Sequence, residues 1–183
     1  MALKSTIYKA TLNISDLDRH HYAEYPLTLA LHPSETETRM MMRLLAFALY
    51  ADENLSFTRG LCVDDEPDLW QHAPSGEIER WIEVGLPSDK RLRKACARSA
   101  EVVLLVYGSD QQVEPWWQSS RKVLSRFDNL VIKRIDEAAG EALEALAERQ
   151  MRIQCTIQDE QVFLTSEKGS AEITPRLMEA TPY

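Results

Sequence analysis

Apolar residues alternate with polar ones from Thr6 to Ile14, with Tyr8, Ala10, Leu12 and Ile14 on one face. A period of two places such a set on one side of a β-strand. Tyr25 to His32 repeats the pattern through Leu27, Leu29 and Leu31, after a polar connection from Asp16 to His21. Two strands so joined are expected to pair antiparallel. Pro33 stops the second. Ser34 with Glu37 three residues on makes a capping-box pattern, and Met40, Met41, Leu44, Leu45, Ala48 and Leu49 follow at helical spacing. That helix is expected to run from Ser34 to about Ala51 or Asp52.

The middle of the chain changes rhythm more often. A short strand is expected within 55–63, then an acidic turn, Asp64-Asp65-Glu66-Pro67. Asp68–Gln71 and Arg80–Val84 flank Pro74-Ser75-Gly76 and read as a β-hairpin. Pro87-Ser88 caps a helix from Asp89 to Ser99. The unbroken apolar run within Glu101–Tyr107 fits a strand buried on both faces. A helix at Trp116–Phe127, a strand at Leu130–Arg134 and a helix at Ala138–Gln150 follow. Arg152–Ile157 and Gln161–Thr165 form a hairpin around Asp159-Glu160, and the tail beyond Ser166 is loosely patterned. The alternation of elements makes this an α/β chain with a mixed sheet, extra N-terminal strands and a C-terminal hairpin. With 183 residues, no internal repeat and no linker, it is expected to be a single domain over 1–183.

Composition narrows the function classes. Hydrophobic residues are 44% and charged residues 27%, ordinary for a globular protein. No apolar run approaches the roughly 18 residues of a membrane span, and the first residues lack the apolar core of a secretory signal. Cys62, Cys96 and Cys155 are few and widely spaced, as in a cytoplasmic protein with reduced, buried thiols. There is no Walker A sequence, no GxGxxG after a strand and no GxSxG elbow. The net charge of -8 means that any nucleic-acid contact must be local.

One constellation has the chemistry for a site. If the hairpin turn is centred on Ser75 and Gly76, opposed positions sum to 151, and Asp68 faces Glu83 with Cβ atoms about 5 Å apart. Opposed carboxylates need a cation or a basic side chain between them, and Mg²⁺ or Mn²⁺ with oxygen ligands meets that need. Lys90, Lys94 and Arg98 recur every four residues on the next helix, while Leu92, Ala95, Cys96 and Ser99 lie on another face. Lys90 or Lys94 is placed to reach a metal-bound water or a phosphate, and Arg59, Arg91 and Arg98 are further candidates for phosphate contact. Plainer roles stand beside these: surface acids for Asp68 and Glu83, a solvated face for the lysine row, a cap for Glu37, and an ion pair of Arg59 with Asp64, Asp65 or Glu66. Trp70 and Trp81 also sum to 151 and read as a cross-strand aromatic pair. The histidines have no partners at metal-ligand spacing.

The run Phe57-Thr58-Arg59-Gly60-Leu61, then Glu66-Pro67-Asp68-Leu69-Trp70, Trp81-Ile82-Glu83-Val84-Gly85-Leu86-Pro87 and Lys90-Arg91-Leu92 resembles the bacterial YaeQ family. The element order over about 34–107 is similar to the divergent, restriction-endonuclease-like core of the PD-(D/E)XK superfamily. That resemblance implies a divalent-metal-dependent nuclease acting on phosphodiester bonds, with Asp68 and Glu83 as metal ligands, Mg²⁺ or Mn²⁺ as cofactor, and nucleic acid as partner. Gly85 stands where the motif lysine belongs, so Lys90 or Lys94 would have to supply it. If neither does, the implied alternative is a catalytically inactive nuclease-fold module that binds nucleic acid or a protein.

Overall fold

The structure is a computed structural model that describes residues 4–59 and 63–179. Residues 60–62 of the strand expected at 55–63, Cys62 among them, lie outside the described residues. By its own contacts the chain divides into two compact units, Met1–Leu49 with Ala138–Pro175 and Tyr50–Glu137 with Arg176–Tyr183. Each has a mixed sheet, and the described residues contain four α-helices.

The first unit is built on β1 (Thr6–Asp16) and β2 (His21–Leu31), antiparallel as expected but longer at the turn end. Tyr8, Ala10, Leu12 and Ile14 are buried, as their spacing requires. The other neighbour of β1 is far away in sequence: β8 (Gln150–Gln158) runs parallel to it, with Leu12 opposite Ile153. β9 (Gln161–Ser166) and β10 (Gly169–Ile173) complete the order β10-β9-β8-β1-β2. Asp159 and Glu160 take positive φ at the tip of the β8–β9 hairpin, where the Asp18 carboxylate accepts both of their N–H groups at 2.8 Å. β2 is an edge strand, where Pro26 is tolerated because it has no N–H to pair.

α1 (Glu37–Tyr50) starts later than expected. Thr36 caps it, its Oγ1 accepting from Arg39 N at 3.1 Å, while the Ser34 hydroxyl turns to His32 Nδ1 at 2.7 Å. Glu37 is therefore the first helical residue and accepts from the Tyr8 hydroxyl at 3.4 Å. α4 (Glu137–Glu144) stops short of Gln150. Its end tightens through Leu146 N to Leu143 O and Ala147 N to Glu144 O, and the chain then joins β1 as β8.

The second unit has the strand order β11-β7-β6-β5-β4-β3: β3 is Leu55–Phe57, β4 Leu69–His72, β5 Ile78–Val84, β6 Ser99–Val106, β7 Leu130–Arg134 and β11 Arg176–Leu177. β5, β6 and β7 are parallel neighbours, and Val102 to Val106 are fully buried, as an apolar run between two strands should be. α2 (Asp89–Arg98) and α3 (Asp110–Leu124) put Leu92, Ala95, Val113 and Leu124 into a core with Trp81, Val102, Leu104 and Ile132. α3 begins six residues before the expected Trp116. Gln112 reaches back to Ser109 N at 3.3 Å and sets the start, so Pro115 lies inside the helix.

Candidate functional site

The β4–β5 ladder sets the geometry. Leu69 faces Ile82, Trp70 faces Trp81 and Gln71 faces Arg80, the register expected from the turn. A bulge between Gln71 and His72 falls on the turn side and leaves the other end in register. The two tryptophan rings meet edge to face at 6.4 Å. Asp68 stands one residue before β4. Its N–H donates to Ile82 O at 3.0 Å and its Oδ2 accepts from Val84 N at 2.9 Å. Glu83 lies on the face of β5 that carries Trp81, two residues away. Both acids are only 3% exposed.

Their partners are backbone, indole and guanidinium. Glu83 Oε1 accepts from Trp81 Nε1 at 2.9 Å and from Arg91 Nε at 2.8 Å. Burial, and next the charge of Asp68, push the Glu83 carboxyl above its ordinary value, while Arg91 and Trp81 pull it back. Arg91 does more than pair: its Nη1 donates to Asp64 O and its Nη2 to Glu66 O, each at 2.7 Å. Ser88 fixes the helix start that aims it, accepting from Arg91 N at 3.2 Å.

The remaining expected residues lie around this centre but outside it. Lys90 is exposed. The Lys94 ammonium pairs with the Asp65 carboxylate. Arg98 donates to Asp65 O at 3.1 Å, and its guanidinium carbon lies 5.3 Å from the Trp81 ring centre. Arg59 pairs with Glu66 at 2.9 Å, the ion pair expected of it as the plainer role. The basic helix thus grips the acidic turn, Lys94 holding the Asp65 carboxyl below its ordinary value, while Arg59, beyond β3, does the same for Glu66. Gly85 has φ +107 and donates to Leu105 O at 2.9 Å. A lysine there would strain the backbone.

A divalent cation of the Mg²⁺ or Mn²⁺ type takes about six oxygen ligands in open geometry. Among the described residues there is no group of three or more His, Cys, Asp or Glu that could hold a metal. As arranged, Asp68 Oδ2 accepts from the Val84 amide, and Glu83 Oε1 accepts from the Trp81 indole and the Arg91 guanidinium. The residues that sequence reasoning passed over are Trp81 as a donor and Arg91 as the counter-ion. Two signals pointed to them: the i, i+2 spacing of Trp81 and Glu83, and the position of Arg91 in the first turn after β5.

No helix among the described residues is long and apolar enough to cross a membrane. Burial pushes the Cys96 thiol up to about 11 and the Cys155 thiol up to about 12, so both are poor nucleophiles.

Similar sequences and similar folds occur in bacteria. The chain is 48% identical over 173 residues to the YaeQ protein of Escherichia coli strain K12, covering 94% of this chain and 95% of that one. It is 45% identical over the same length, with the same coverage, to that of Salmonella typhi. The crystal structure of the YaeQ protein from Xanthomonas axonopodis pv. citri superposes with a TM-score of 0.92 at 48% identity, covering 96% of this chain and 99% of that one. The one from Pseudomonas syringae gives 0.90 at 36% identity, covering 96% and 97%. The profile of the family described as YaeQ protein matches residues 1–175, which run through both units, and the chain belongs to that family.

Proposed function

We propose that this protein is a nucleic-acid-binding module on a core of the PD-(D/E)XK type that does not hydrolyse what it binds. The order α1-β3-β4-β5-α2-β6 and the pair Asp68 and Glu83 support the nuclease-like descent. Arg91 carries the functional reading: its guanidinium is paired with Glu83, one of the two acids that a metal ion would need. Without that ion, no water is activated beside a phosphate. The attraction for nucleic acid comes from α2, which has five cations, Lys90, Arg91, Arg93, Lys94 and Arg98, against one acid, Asp89. Lys90, Arg93, Lys94 and Arg98 are exposed. A local cationic helix face on an acidic protein binds phosphates through charge and is salt-sensitive. The thiols, high in pKa and free of disulfides in the described residues, suit a cytoplasmic protein.

The test is binding and cleavage of labelled single-stranded DNA and RNA and of duplex DNA, with Mg²⁺, with Mn²⁺ and with chelator. The expected result is metal-independent binding that weakens with salt at a slope of about -2 to -3 in log–log form, as for three or four phosphate contacts. Arg93→Ala with Lys94→Ala should remove most of it. The opposite result is Mn²⁺-dependent cleavage that disappears in both Asp68→Ala and Glu83→Ala. It would restore Asp68 and Glu83 as metal ligands with Lys90 or Lys94 beside them, and would overturn this proposal.

A further inference from the structure

We infer that the Asp64–Glu66 turn is a built-in competitor for the phosphate-binding face of α2, a short segment that a nucleic-acid backbone must displace. This inference rests on the nucleic-acid reading given above. Within three consecutive residues the turn offers α2 four oxygens. Asp64 O and Glu66 O take the two outer nitrogens of Arg91, Asp65 O takes Arg98, and the Asp65 carboxylate takes Lys94. An extended string of oxygen acceptors facing three cations has the chemistry of a phosphodiester backbone, but only one of the four groups is charged.

The hold is weak where it is ionic. The Asp65 side chain is 69% exposed and that of Lys94 54%, and pairs so exposed contribute little. The rest of the grip is on neutral carbonyls. Phosphate oxygens bring formal negative charge to the same cationic donors, which adds direct attraction that a neutral carbonyl lacks. Arg91 makes the exchange specific. Its Nε stays on buried Glu83, so when the turn leaves, Nη1 and Nη2 remain aimed outward as a fixed fork, the geometry that matches a phosphate. In this arrangement Glu83 is a positioning residue that holds the fork.

Fluorescence anisotropy of a labelled single strand of about 12 nucleotides tests this on the full chain. Asp65→Asn removes the one charged oxygen of the turn. It should tighten binding about three- to fivefold, the factor expected from loss of a competing exposed ion pair. Asp128→Asn, the same charge change at an exposed position outside the turn, should alter affinity less than about twofold. In the unmodified protein, amide exchange over 63–68 should speed up when the strand is added. Equal affinities for Asp65→Asn and Asp128→Asn, or a turn that becomes protected on binding, would overturn the competitor and leave the binding function standing. No binding by any of the three proteins sinks the function itself. A polyglutamate peptide that binds Asp65→Asn more tightly than the oligonucleotide does would show an acidic protein segment, not nucleic acid, to be the displacing ligand.

Discussion

Two arginine-centred clusters, one in each unit, look alike and are balanced differently. In the first unit Arg43 is 5% exposed. It holds Glu35 through both oxygens, at 3.0 and 2.7 Å, and donates to Ala30 O at 3.0 Å. Arg39 adds a second guanidinium to the same carboxylate at 2.7 Å. One buried acid there has two cations, and α1 is tied to the edge strand. In the second unit Arg91 holds Glu83 beside a second buried acid, Asp68, and Glu83 rises above its ordinary value despite that guanidinium. A cluster with charge to spare on the cationic side is a fastening. One whose buried carboxyl is held above its ordinary value persists at a cost, and such a perturbed group marks a candidate functional position.

The comparison breaks most readily at Arg43. Arg43→Met leaves Glu35 with Arg39 alone and Ala30 O uncovered. It should cost about 3 kcal/mol in chemical denaturation, as for a buried pair that loses one partner. A loss below about 1 kcal/mol would mean the cluster is not a fastening. Arg91→Ala should cost less, about 1–2 kcal/mol, because Arg91 is about a third exposed. Much of that cost should vanish in the Glu83→Gln background, a coupling that a double-mutant cycle reads directly. Gly85→Ala should lose about 1 kcal/mol from the positive φ alone, since open space surrounds the added methyl group.

Glu83→Gln sharpens the contrast with the smallest effect and the most informative sign. An ion-pair fastening would lose stability with this change. Here the folded state disfavours the charged form, so Glu83→Gln should be neutral or up to about 1 kcal/mol stabilising at pH 7. With its folded pKa above the ordinary 4.5, Glu83 lowers stability as pH rises through the window between the two values. The penalty is complete above that window and absent below it. The advantage of Glu83→Gln in thermal midpoint should therefore be largest near neutral pH and disappear on acidification below the ordinary value. An advantage that grew with acid would show that the attraction of Arg91 outweighs burial.

Local patterns were legible where neighbours in sequence are neighbours in space. The register at Trp70 and Trp81 follows from alternation and a turn, and the inner face of β1 from period two alone. What alternation cannot show is a distant partner, so the parallel pairing of β1 with β8 was invisible. β10 and β11, short and polar, carried too little pattern. The candidate site was half legible. The pattern placed Asp68 and Glu83 near each other, as the structure has them, but the helix phase was misjudged. Lys90, Lys94 and Arg98 at every fourth position drift by about 40° a step, whereas Arg91 and Arg98, seven apart, nearly eclipse on a 3.6-residue helix. The row that meets Glu83 and the acidic turn is Arg91, Lys94 and Arg98, and Lys90 falls off it.

β1 lies between β2 and β8 in its sheet, and β8 begins only at Gln150. On the ribosome the first hairpin therefore emerges long before its parallel neighbour exists. Translation at about 5–20 residues per second makes it wait on the order of ten seconds. Meanwhile the second unit is synthesised up to Glu137, lacking only Arg176–Tyr183. The interior segment of the chain can thus mature before the flanks that enclose it in sequence, leaving the apolar side of the β1–β2 ribbon in need of shelter during that interval.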